Sequence, residues 1–315
     1  MTTASLLRAL ALLSPLALGA CGSSSDDGAR SPAQGAPSGG SATDAAGGAG
    51  GAGGAGSSNA DGSVASDGGA PSRCVVDASG VTCEHQVTTV SGRTVAYASP
   101  LGAAPPAGWP AVLYFQGSFV AGDTGFAAVP SAQFGMYQLT LTIKALLDRG
   151  YAVVAPDASG GAVWETIVPP HAQSWSGCSD DVLMQGLFSA MDSGGLGHVD
   201  STHLFAMGIS SGGFMTSRMA VSYPGRFRAL ADHSGSYATC STLCNVPTPL
   251  PSDHPPILFL RGEKDTLVPG SSVTPYLDAL GAEGHVAKLV TDPDAGHEWL
   301  AAGRTAIPDW FDAHR

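Results

Sequence analysis

Between Leu204 and Ala220 the sequence LFAMGISSGGFMTSRMA passes from an apolar run into a segment of helical period with almost nothing between. The join is Gly208-Ile209-Ser210-Ser211-Gly212. A strand that turns so sharply into a helix must return to its sheet as a parallel neighbour, because the helix carries the chain back along the strand. The same alternation repeats around it. WPAVLYFQG (109–117), YAVVAPDASG (151–160), FRALADHSG (227–235), PPILFLRG (255–262) and VAKLVTD (286–292) read as strands. MYQLTLTIKALLDRG (136–150), SDDVLMQGLFSAMDSGG (179–195) with Ser179 as cap, TPYLDALGAEG (274–284) with Thr274 as cap, and TAIPDWFDAHR (305–315) read as helices. QVTTVSGRTVAYASP (86–100) reads as two strands turning at Ser91-Gly92, an antiparallel edge. The pattern predicts an α/β domain: a mostly parallel central sheet with helices on both faces. Ligands of such sheets bind at the carboxyl ends of the strands.

Gly208 to Gly212 falls at one of those ends, in the strand–turn–helix context of a G-x-S-x-G nucleophile elbow. Strand and helix approach closely there, so the residues two before and two after the nucleophile must be small. Centred on Ser210, those positions are Gly208 and Gly212. Centred on Ser211, the first is Ile209, whose branched side chain would clash. Ser210 is the expected nucleophile, and the backbone N–H of Ser211, at the helix start, is an expected oxyanion donor. A serine hydroxyl needs a base, and the base an orienting acid. His297, in DAGHEW, follows the last strand and is the expected base. His233, in ADHSG, is expected to pack nearby. Asp265, which ends ILFLRGEKD, is the expected acid, with Asp292 and Asp294 as competitors too close to His297 in sequence to reach its ring easily.

The order Ser210, Asp265, His297 is that of the α/β-hydrolase superfamily, which the chain resembles from about Trp109 onward. Within it, CSDDVLMQGLFSAMDS, VDSTHLFAMGISSGGFMTSRMAVSYPGRFRALADHSGSY, PPILFLRGEKDTLVP and AGHEW resemble the polyhydroxybutyrate depolymerase and feruloyl/acetylxylan esterase group. That resemblance implies a serine ester hydrolase working through an acyl-enzyme, with the triad on Ser210, Asp265 and His297 and with neither cofactor nor metal. It also implies a further oxyanion donor after AVLYFQG, the backbone N–H of Ser118 or Phe119. Relatives carry His-Gly where this chain has Gln116-Gly117. Only residues 237–254 separate the strand after the nucleophile helix from the next, too few for a helical lid. An open site suits bulky or polymeric esters. Gln116, Trp175 and Trp299 are the expected substrate-binding residues, with Phe119 and Trp164 as further aromatics near strand ends. A serine peptidase of the same fold and a non-catalytic surface binding protein are the alternatives.

Upstream, the composition changes. Residues 22–72 are almost wholly Gly, Ala, Ser, Asp and Pro, with Val64 the one large apolar residue, so 21–72 is expected to be an unstructured tether. Residues 1–20 read as an export signal with a short apolar core. LGAC, ending at Cys21, resembles a bacterial lipobox, which implies a lipid-modified Cys21 and anchoring at the cell envelope or surface, with plain secretion as the alternative. The folded domain is expected over 73–315, as a monomer. The net charge of −12, without a basic run, argues against nucleic acid and against membrane contact other than through that anchor. Export permits disulfides. Cys74 and Cys83 flank a short hairpin and are expected to pair; among Cys178, Cys240 and Cys244 the pairing stays open.

Overall fold

The structure is a computed structural model that describes residues 71–240 and 246–315. The signal segment, Cys21, nearly all of the tether and Cys244 lie outside the described residues. The strands are β1 (Cys74–Asp77), β2 (Gly80–Cys83), β3 (Gln86–Val90), β4 (Arg93–Ala98), β5 (Trp109–Phe115), β6 (Ala127–Ala128), β7 (Ala152–Pro156), β8 (Val199–Ile209), β9 (Phe227–His233), β10 (Ile257–Gly262) and β11 (Ala287–Asp292). The helices are α1 (Met136–Asp148), α2 (Ser179–Asp192), α3 (Ser211–Ser222), α4 (Gly270–Ala282) and α5 (Gly303–Asp312).

Eight strands form one sheet in the order β11-β10-β9-β8-β5-β7-β4-β3. From β11 to β7 every pairing is parallel; β4 joins β7 antiparallel and β3 closes the edge as a hairpin. The expected architecture holds, including the turn at Ser91-Gly92, where both residues take positive φ. β1, β2 and β6 make a separate small antiparallel sheet, held by the Cys74–Cys83 disulfide.

The continuous apolar strands are explained by burial on both faces. Along β5, Ala111, Leu113 and Phe115 pack to one side with Met215 and Met219 of α3 and Leu183 and Leu187 of α2. Val112 and Tyr114 point the other way, to Leu139 and Ile143 of α1 and Ile307 and Phe311 of α5. Two expected caps move. Cys178, not Ser179, is the N-cap of α2, and Asp180 in its first turn is buried in an ion pair with Arg93. Helix α4 begins at Gly270, four residues before Thr274, whose hydroxyl instead donates back to the Gly270 carbonyl at 3.0 Å. Cys178 is free and buried, whereas Cys240 is disulfide-bonded, which removes the pairings that involved Cys178. No helix occurs among the described residues between His233 and Ile257.

Candidate active site

The turn after β8 explains its glycines by collision. A Cβ on Gly208 would lie 2.3 Å from the Gly212 carbonyl oxygen, and one on Gly212 would lie 2.0 Å from that of Phe115. Neither position tolerates a side chain without moving backbone. Ser210 sits at the apex with φ 58° and ψ −123°, a conformation costing an L-residue about 1–3 kcal/mol. Its N–H donates to the His233 carbonyl at 3.0 Å, tying the turn to the end of β9. Ser211 is the first residue of α3 and only 2% exposed, and its hydroxyl has no partner among the described residues. The two serines are thus unlike: Ser210 is strained and half-buried, Ser211 helical and enclosed.

Asp265 follows β10, two strands from β8, and His297 follows β11, one strand further. His297 Nδ1 lies 2.8 Å from Asp265 Oδ2. The other carboxylate oxygen accepts the N–H groups of Leu267 and Val268, both at 2.9 Å. Burial pushes the Asp265 pKa up, but the hydrogen bonds from His297, Val268 and Leu267 outweigh it, and the group stays below the ordinary aspartate value. The carboxylate is therefore ionised and fixed, and its bond to Nδ1 leaves Nε2 free. The competitors are engaged elsewhere: Asp292 accepts the N–H groups of Asp294 and Ala295, and exposed Asp294 pairs with Lys264. Among the described residues no hydrogen bond joins the Ser210 hydroxyl to His297, a contact that commonly tightens only when substrate is bound.

The loop after β5 borders the elbow: a Cβ on Gly117 would lie 3.8 Å from Ser210 Cβ. One expected donor on this loop is lost. The Phe119 N–H is spent on the Ala162 carbonyl at 2.7 Å, whereas the Ser118 N–H has no acceptor among the described residues. Like that of Ser118, the Ser211 N–H has no acceptor among the described residues.

Three expected substrate-binding residues are not at the surface. Gln116 is fully buried; with its amide oriented to satisfy both neighbours, it donates to the Pro156 carbonyl at 2.9 Å and accepts from the Ala158 N–H at 2.6 Å. It braces the loop leaving β7. Trp175 is 7% exposed and donates to the Tyr223 hydroxyl, with the Arg218 guanidinium over its ring. Trp299 is 1% exposed, donates to Thr142 Oγ1 and stacks on His233. Trp164 is buried too, donating to the Gln116 carbonyl. Sequence position near strand ends does not distinguish a groove-lining tryptophan from one whose N–H has found a buried acceptor. Phe119 alone of these aromatics is open, at 43% exposure, and it too has positive φ, 63°.

The loop between β7 and α2 makes contacts the sequence did not reveal. Thr166 donates to the Ala238 carbonyl, and Arg218 of α3 reaches Thr166 and the carbonyls of Ala172 and Ala238. That loop, the elbow helix and the segment after β9 are thereby one packed unit. Among the described residues there is no cluster of side chains suited to a metal ion.

Comparison with known proteins bears on the fold and the family. The prolyl oligopeptidase family model matches residues 137–246. The dipeptidyl-peptidase 5 of Porphyromonas gingivalis is 26% identical over a 234-position alignment that covers 63% of this chain and 32% of that protein. The fold is shared with the truncated form of a carbohydrate esterase from gut microbiota (TM-score 0.52, 14% identity, 74% of this chain and 96% of that one). It is shared equally with esterase PE8 (TM-score 0.51, 18% identity, 70% and 97%). A poly(3-hydroxyoctanoate) depolymerase of Pseudomonas fluorescens is 45% identical over 240 residues, covering 74% of this chain and 86% of that protein. At that identity and coverage the chain belongs to the poly(3-hydroxyoctanoate) depolymerase family of α/β-hydrolase enzymes.

Proposed function

We propose that the protein is an exported serine hydrolase that cleaves the ester bonds of a polyester, with Ser210, His297 and Asp265 as its triad. The observation carrying this reading is the 2.8 Å Asp265–His297 pair at the carboxyl ends of β10 and β11, in the same sheet whose β8 ends in the strained Ser210. His297 Nε2 takes the Ser210 proton as the hydroxyl oxygen attacks the ester carbonyl. The carbonyl oxygen becomes an oxyanion and receives the N–H groups of Ser211 and Ser118; one such donor is worth about 3–4 kcal/mol. The tetrahedral adduct collapses as the imidazolium returns its proton to the leaving alkoxide. Water, deprotonated by the same imidazole, then releases the acid and regenerates Ser210. Asp265 holds the ring in the productive tautomer throughout.

Polymer is favoured over a small enclosed ester by two features. No helix lies among the described residues between His233 and Ile257, and Phe119 is 43% exposed on the loop that borders the elbow. The name of the Pseudomonas fluorescens relative points to medium-chain hydroxyalkanoate esters. Turnover on films of poly(3-hydroxyoctanoate) and polyhydroxybutyrate, on feruloylated arabinoxylan and acetylated xylan, and on a peptide substrate tests the assignment. Film clearing with no peptide cleavage supports it. The peptidase-family match keeps peptide hydrolysis as the second reading, and faster peptide than ester turnover would establish that one instead.

The LGAC sequence ending at Cys21 supports a lipid anchor. Labelling with radioactive palmitate, lost in Cys21→Ser, is the expected result. An unlabelled protein found wholly in the medium would mean plain secretion.

A further inference from the structure

We propose that His233 is a positioning residue that sets the spacing between the nucleophile turn and the loop carrying the base. The inference rests on the triad reading above. His233 ends β9, the strand between the one that leads to Ser210 and the one that leads to Asp265. Its main-chain carbonyl accepts the Ser210 N–H at 3.0 Å. Its ring Nε2 lies 2.8 Å from the backbone nitrogen of Leu300, three residues beyond His297. One residue thus grips the elbow with its backbone and the base loop with its side chain.

The chemistry of that grip is specific. A backbone N–H can only donate, so Nε2 is the acceptor and the ring proton sits on Nδ1. The ring is fully buried and stacks on Trp299, with centroids 4.8 Å apart and planes inclined by 19°. Trp299 is fixed in turn, its indole N–H on Thr142 Oγ1 and its backbone N–H on the Phe134 carbonyl, both at 3.0 Å. Nδ1 finds no partner among the described residues. The hydrogen bond that the ring makes is therefore the one Nε2 accepts from Leu300. A hydrocarbon of similar shape would fill the space but leave the Leu300 N–H unpaired, and the loop would be free to lift His297 from Ser210. Displacement of a catalytic group by about 1 Å is enough to cost a hundredfold in rate.

The test compares three variants of the full chain on p-nitrophenyl butyrate, with active enzyme counted from the p-nitrophenol burst. His233→Phe keeps the stacking ring and removes the acceptor. His233→Gln restores an acceptor at similar reach. His233→Asn keeps a polar amide that falls short of Leu300. The expected result is a kcat at least tenfold lower for Phe and Asn with KM within about threefold of wild type, and recovery by Gln to within about threefold of wild-type kcat. Should Phe not fold, the Gln–Asn difference carries the comparison. Wild-type kcat in Phe or Asn would overturn the proposal, as would a Gln variant no better than Asn with both folded. Ser210→Ala, assayed alongside, separates the two levels. If it keeps full activity, the triad reading fails. If it is inactive while His233→Phe is fully active, only the positioning role fails.

Discussion

His297 Nδ1 and Asp265 Oδ2 lie 2.8 Å apart across 32 residues of sequence, joined by two neighbouring parallel strands. The bond fixes which nitrogen of His297 is left for the serine, so its loss has a predictable effect. In Asp265→Asn the amide can present its N–H to Nδ1 and favour the wrong tautomer. We expect kcat for ester hydrolysis to fall by about 10³–10⁴. Asp292→Asn and Asp294→Asn should stay within about threefold of wild type, because neither carboxylate touches the ring. Steady-state kinetics on p-nitrophenyl butyrate decide it; a severe loss at Asp294 with normal activity at Asp265 would reassign the acid.

Burial lowers the His233 pKa from 6.5 to about 3, with the nearby His297 charge adding to the effect and Asp265 opposing it. The folded imidazole therefore refuses a proton that the unfolded one accepts. Its contribution to stability is fully present above about pH 6.5 and is lost as the pH falls towards 3. In His233→Gln that dependence is absent. Between pH 6.5 and 4, wild type should lose stability relative to the variant by up to about 1.4 kcal/mol per pH unit. Urea titrations of both proteins at pH 7, 6, 5 and 4 measure the difference, and a constant gap would contradict a neutral buried ring.

Phe119 combines positive φ with a large exposed ring, an arrangement that core packing does not require. Phe119→Gly removes a strained non-glycine φ, worth about 1 kcal/mol or more, while deleting the ring. The variant should melt no lower than wild type and hydrolyse a soluble ester at a similar rate. Its clearing of polyester film should fall about fivefold or more. Equal film clearing would show that the ring does not meet the polymer.

Much of this was legible in the sequence, for identifiable reasons. Strand and helix periods, with turn glycines, marked every strand of the large sheet; the inner strands β5, β7, β9 and β10 stand out as apolar runs because both faces of the sheet are buried there. The elbow was legible because its glycines answer to backbone collisions that no other residue avoids. Gln116, Trp175 and Trp299 were misread as substrate contacts, since burial at a strand end depends on loops packed from elsewhere. Phe119 was misread as a donor because the Ala162 carbonyl that captures its N–H arrives from a segment 43 positions later, a pairing without a local signature. The role of His233 was likewise hidden: its partner, Leu300, is brought to it only by the folded sheet.

The central claim is that Ser210, not its neighbour, carries the chemistry. Ser210→Ala and Ser211→Ala should be assayed on p-nitrophenyl butyrate and on poly(3-hydroxyoctanoate) film, with labelling by a fluorophosphonate that modifies active serines. Ser210→Ala is predicted to lose at least 10³-fold in kcat and all labelling. Ser211→Ala, which keeps its backbone N–H, is predicted to retain at least a tenth of wild-type activity and to label at a single site. An active, labelled Ser210→Ala beside an inactive Ser211→Ala would contradict the account.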